Sequence, residues 1–105
     1  MAWIYLIVAG LFEIAWAMGM KFTDGFSKLW PTVAVLALMG LSVYFLSLAV
    51  KTLPVGTAYA VWTGIGIAGT SILGMVWFDE PVSLIRLVLI FLILASVVGL
   101  KLLPQ

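Results

Sequence analysis

The chain has 105 residues, of which 66% are hydrophobic and 9% charged, with a net charge of +1 and a mean hydropathy of +1.33. A soluble domain carries about 25% charged residues to solvate its surface, so most of this surface is expected to face lipid, in one domain spanning 1–105. The absence of Cys and His excludes disulfides, thiolate catalysis and the usual transition-metal sites, and no basic stripe exists to hold nucleic acid.

Four apolar segments follow one another, each close to the roughly 20 residues that cross a hydrocarbon core. The first is expected over about 3–20. It has no basic residue before Lys21 and contains Glu13, so it reads as a retained membrane helix and not a cleaved leader. The polar stretch from Lys21 to Lys28 carries Asp24-Gly25 as a turn signal. A second helix is expected over about 30–50, with Pro31 tolerated in its first turn. Lys51-Thr52-Leu53-Pro54 is a tight connection to a third helix over 54–78. Asp79-Glu80-Pro81 turns the chain into a fourth over 82–103. Short connections make sequential helices antiparallel neighbours. The fold class read from this pattern is an all-α integral membrane protein of four transmembrane helices.

Lys51 and Lys101, with the N-terminal amine, fall on one side of this arrangement; Lys21, Lys28 and Arg86 fall on the other. Orientation follows an excess of Lys and Arg on the cytoplasmic side, and here the excess is nearly nil. Either the chain inserts one way despite the count, or it inserts both ways up.

The third segment holds Gly56, Gly64, Gly66, Gly69 and Gly74, although glycine costs about 1 kcal/mol against alanine in a helix interior. Gly66, Thr70 and Gly74 at spacing four form a small-residue stripe suited to close helix approach. Gly64 and Gly66 flanking Ile65 would also ease a bend, and the two readings are compatible. The fourth segment is mostly Leu, Ile and Val and is expected to contact lipid or another copy.

Glu13 stands midway along its segment, whereas Asp24, Asp79 and Glu80 lie in the breaks. An ionised side chain there costs about 3 kcal/mol on insertion scales, and every cation of the chain lies near a segment end, where it can snorkel to water. Protonated, Glu13 could serve as a structural hydrogen bond; intramembrane carboxylates more often mark a proton relay or an ion site. Gly10 and Trp16 stand three residues to either side, and Ala9 and Ala17 four, so all share its face. Tyr59 and Trp62 share a face of the third helix, and Ser42 places a hydroxyl within the second, where it could orient Glu13. A carboxylate with aromatic rings suits an organic cation. A dimer with two Glu13 side chains on a shared cavity would let protons and a cation compete for the same oxygens. Oppositely inserted subunits would form an inverted repeat that favours alternating access.

Residues Gly10 to Ala17, Met20 to Ser27 and, above all, Leu53-Pro54-Val55-Gly56-Thr57-Ala58-Tyr59-Ala60-Val61-Trp62-Thr63-Gly64-Ile65-Gly66 resemble the small multidrug resistance family over essentially the whole chain. Trp16-Ala17 and Leu100-Lys101-Leu102 resemble its guanidinium exporter (Gdx) branch. The resemblance implies an antiparallel, dual-topology homodimer in the inner (plasma) membrane that exchanges guanidinium for protons, with no cofactor, no metal and no covalent chemistry. It implies that Glu13 of each subunit binds substrate or protons, and that Trp16 and Ser42 hydrogen-bond to it. Tyr59 and Trp62 would line the cavity, Tyr59 as a gate, and Gly10 would give the substrate room. Gly64-Ile65-Gly66 would form the helix bend and the fourth helix would hold the dimer. Asp79 and Glu80 receive no role. Guanidinium stays protonated, so it must cross as a cation, and its planar donors suit a bidentate carboxylate. Export of larger hydrophobic or quaternary ammonium cations, a passive cation channel subunit, and an assembly peptide are the rival readings.

Overall fold

In the computed structural model, which describes residues 1–103, four long helices follow one another without a strand among the described residues: α1 (Ala2–Gly19), α2 (Leu29–Ala49), α3 (Val55–Trp77) and α4 (Leu84–Leu102). All four are long and apolar enough to span a bilayer. Long, predominantly apolar sequence explains them, because in lipid a backbone must satisfy its own hydrogen bonds, and a helix does so within one segment.

The ends are set by local chemistry. A 3-10 turn over Met20–Thr23 prolongs α1, carrying the first span past the polar Lys21. Thr23 closes this turn: its hydroxyl donates to the Met20 carbonyl at 2.8 Å and accepts the Phe26 N–H at 3.2 Å. The chain then reverses through three left-handed residues, Asp24, Gly25 and Phe26, with φ of 49°, 70° and 65°. Glycine and aspartate tolerate that region, whereas phenylalanine rarely enters it. The Thr23 carbonyl, which accepts from Ser27 and Lys28 N–H, helps hold it there. α3 starts directly after Pro54, and α4 starts at Ser83, whose hydroxyl accepts the Arg86 N–H at 3.1 Å as an N-cap. Between them Asp79 takes a left-handed φ of 52°. The Glu80 N–H donates to the Gly74 carbonyl at 3.3 Å, the Glu80 carboxylate rests on Gly74, and Arg86 lies 4.0 Å away. Asp79 and Glu80 therefore shape this loop.

Two side-chain contacts fix the relative directions of the helices. Lys101 Nζ lies 5.9 Å from the centre of the Trp3 ring, which places the end of α4 beside the start of α1. Lys21 Nζ lies 4.4 Å over Phe78, which places the ends of α1 and α3 together. The chain therefore runs up, down, up, down.

α1 is the central helix, packed on α2 and α3, while α4 packs chiefly on α3 and reaches the start of α1 through Lys101. A core of Leu6, Ala49, Leu53, Ala58 and Val61 joins α1, α2 and α3 near the α2–α3 connection. Farther along, α1 and α3 close on each other through glycines: Ile65 fills the space over Gly10, Ile14 that over Gly69, and the Glu13 side chain that over Gly66. Close approach of this kind substitutes for a hydrophobic driving force that lipid does not supply. The stripe at Gly66, Thr70 and Gly74 is thus split, with Gly66 serving helix approach and Gly74 receiving the loop carboxylate. α3 remains one continuous α-helix through Gly64-Ile65-Gly66. The molecule measures 43 × 34 × 16 Å along its principal axes, a slab little thicker than one helix with its side chains.

Candidate functional site

α1 and α3 build a recess beside the intramembrane carboxylate. Glu13, Trp16 and Ala17 come from α1; Gly66, Ile67, Thr70 and Ser71 come from α3, and together they line a cavity of about 310 Å³. The helical repeat explains the membership. Trp16 and Ala17 stand three and four residues after Glu13, and Thr70 stands four after Gly66, so each set shares a face of its helix. The missing side chain of Gly66 is what lets the carboxylate lie against α3. With a water molecule occupying about 30 Å³ of liquid, the recess has room for a small planar ion with several waters.

The electrostatics of this recess are incomplete. Glu13 Oε1, Trp16 Nε1 and Thr70 Oγ1 are all buried and have no hydrogen-bond partner in the protein. An unpaired buried polar atom costs about 1–3 kcal/mol, more for a charged one, and three of them around one cavity form a place built to receive something polar. What fits must donate to the carboxylate.

The other expected residues assemble a separate joint one layer away. Ser42 Oγ donates to the Ala9 carbonyl at 2.7 Å and accepts the Trp62 Nε1–H at 2.9 Å. One buried hydroxyl thus ties α1, α2 and α3. Its single proton is committed to Ala9, so the hydrogen bond expected from Ser42 to Glu13 is replaced by this bridge. Trp16, likewise expected to bond Glu13, borders the same cavity with its N–H free. Tyr59 stacks obliquely on Trp62, ring centres 5.5 Å apart, and is 58% exposed. Neither lines the Glu13 recess within this chain. Gly10 differs from its expected role, because Ile65 and not open space occupies the room it leaves.

Thr70 and Ser71 join the expected Glu13 and Trp16 in lining the recess. Thr70 reads in the sequence as a member of a small-residue stripe, and the available signal was its spacing of four from Gly66, on the face that receives the carboxylate. No group of three or more His, Cys, Asp or Glu able to hold a metal ion occurs among the described residues.

Comparisons with known proteins agree in kind. A family model described as Small Multidrug Resistance protein matches residues 1–93. The guanidinium exporter of Yersinia pseudotuberculosis serotype I (strain IP32953) is 55% identical over 102 residues, covering 97% of this chain and 98% of that protein. Proteins of the same name from Salmonella typhimurium (strain LT2) and Citrobacter freundii are each 51% identical over 102 residues, covering 97% of both chains.

Proposed function

The chain belongs to the Small Multidrug Resistance protein family, and from that membership we propose that it exports guanidinium in exchange for protons, with both competing for Glu13. As a protein of four apolar spans in this family it is a multi-pass membrane protein, which in bacteria means the inner membrane. Its named relatives are exporters, not enzymes, and transport of this kind makes and breaks no covalent bond.

The observation that carries the reading is the unpartnered Glu13 oxygen on a cavity inside the membrane-spanning region. Guanidinium offers planar N–H donors and permanent charge, and a carboxylate accepts two of those donors side by side. A proton on the same carboxylate removes the charge and occupies the oxygen, so the two ligands exclude one another. Exclusion at one site, with access alternating between the two sides, is sufficient to couple two opposed fluxes.

The recess is bounded by α1 and α3 only, and lipid cannot solvate the carboxylate on the side they leave open. A second copy closing that side supplies a second Glu13, and Tyr59, exposed here beside Trp62, would then gate the shared space. Near-equal charge at the two ends favours copies inserted in opposite directions. The Gly64-Ile65-Gly66 segment is the part of α3 best suited to bend as access alternates.

The test is purified protein in liposomes with an acidic lumen. Protons leaving down their gradient should drive guanidinium inward, and Glu13→Gln should abolish that uptake. Uptake indifferent to the pH gradient would point to a passive channel. Gradient-driven uptake that survives in Glu13→Gln would move the coupling elsewhere. Preference for bulky quaternary ammonium dyes would favour the broader exporter reading.

A further inference from the structure

We propose that Thr70 is a cation-binding residue: its hydroxyl oxygen accepts an N–H of the substrate that Glu13 holds, and so favours planar cations rich in N–H donors. The proposal rests on the guanidinium reading and extends it to a residue on α3.

Thr70 Oγ1 is buried and unpartnered on the same cavity as Glu13 Oε1 and Trp16 Nε1. Threonine inside a helix ordinarily turns its hydroxyl back to the carbonyl one turn earlier. Ser96 does so here, donating to Leu92 O at 2.8 Å, whereas Thr70 forms no such bond, and of the threonines left buried and unpaired, Thr32, Thr63 and Thr70, it is the one that lines this cavity. Its oxygen is therefore uncommitted in a residue that lines the cavity, and the one-turn spacing from Gly66 sets it beside the place where the Glu13 carboxylate touches α3.

The chemistry of the wall singles it out. A carboxylate accepts two donors of a planar cation, and the remaining N–H groups need acceptors of their own. Trp16 Nε1 only donates, and Ala17, Gly66 and Ile67 bring no polar side chain. Of the two hydroxyls on the wall, Thr70 and Ser71, that of Thr70 is the one both buried and unpaired. Thr70 brings two lone pairs into a buried, unpaired position. Trp16 in turn can donate to Glu13, which leaves the carboxylate anchored from one helix and the substrate from the other. A fully alkylated ammonium has no N–H to offer Thr70 and gains nothing from it.

The experiment compares guanidinium uptake by the natural chain, Thr70→Val and Thr70→Ser in liposomes. Valine keeps the shape and removes the oxygen; serine keeps the oxygen. KM for guanidinium is expected to rise about 3- to 10-fold in Thr70→Val, the loss typical of one hydrogen bond, while kcat stays within about twofold, the pattern of lost ground-state binding. Thr70→Ser should stay within about twofold of the natural KM on the same grounds. Thr70→Ala carries the same expectation as valine if the valine variant does not insert. An unchanged KM in Thr70→Val, or an equal loss in Thr70→Ser, overturns the assignment. If Ser71→Ala gives the effect instead, the acceptor is Ser71 and the proposal is likewise overturned. Failure of the guanidinium reading itself is distinguishable, since the natural chain would then show no uptake lost in Glu13→Gln.

Discussion

Glycines with the same conformation differ in what stands over them, and this decides what each tolerates. A methyl group added at Gly66 would overlap the Glu13 carboxylate, whereas one at Gly40 meets nothing within 4 Å. Gly66→Ala must therefore displace the charged group itself. Guanidinium transport is expected to fall on the order of tenfold to a hundredfold, as misplacement of a binding group by about 1 Å does elsewhere. Gly40→Ala should leave the rate unchanged, with both variants inserting normally as judged by their helical circular dichroism; equal rates in the two would refute the steric account. At this scale the sequence was legible in part. Glu13 stands out because charge is rare in an apolar segment, and Trp16 follows from the helical repeat. The bridge from Trp62 through Ser42 to Ala9 was not readable, because nothing along one chain says which helix faces which hydroxyl. The same is true of Gly10, where a gap beside the carboxylate reads as room for a ligand until Ile65 of the facing helix is placed in it.

Among elements, hydropathy marks the four helices without ambiguity, and their contacts are what hydropathy leaves open. α4 shows how sparse those contacts are: it packs chiefly on α3, and Ile90 is its one buried residue among those described. The seam depends on Gly64, over which a built methyl would stand 2.6 Å from Val97 Cγ2. Gly64→Ala is expected to destabilise the folded chain by about 1–3 kcal/mol through overpacking. Val97→Ala introduced into that variant should return most of the loss, since contacting residues couple by roughly 0.5–3 kcal/mol. Thermal unfolding of the two single variants and the double variant in detergent measures the coupling. Strict additivity would mean that the seam relaxes by another route. The loop before α4 carries its own device, with Glu80 over Gly74 and near Arg86; its sequence shows a turn, but not that the acid folds back onto the preceding helix.

For the whole molecule, the placement of Lys101 by Trp3 and Lys21 by Phe78 assigns Lys51 and Lys101 to one end and Lys21, Lys28 and Arg86 to the other. Side-chain cations thus number two against three, too even to set an orientation. Lys51→Ala with Val82→Lys makes the count one against four, and Lys28→Ala with Thr52→Lys and Leu102→Lys makes it four against two. Each variant is expected to insert one way only, opposite to the other, as read by cysteine accessibility at the chain ends. If oppositely inserted copies are required, each alone should be inactive and the two together active. Full transport by either alone would exclude that requirement. The slab shape has a further consequence in time. Every residue that lines the recess lies between Glu13 and Ser71, and α4 begins only at Leu84. During synthesis every residue of the recess is thus joined to the chain before α4 begins. The arrival of α4 adds a flank to α3 and no residue to the recess itself.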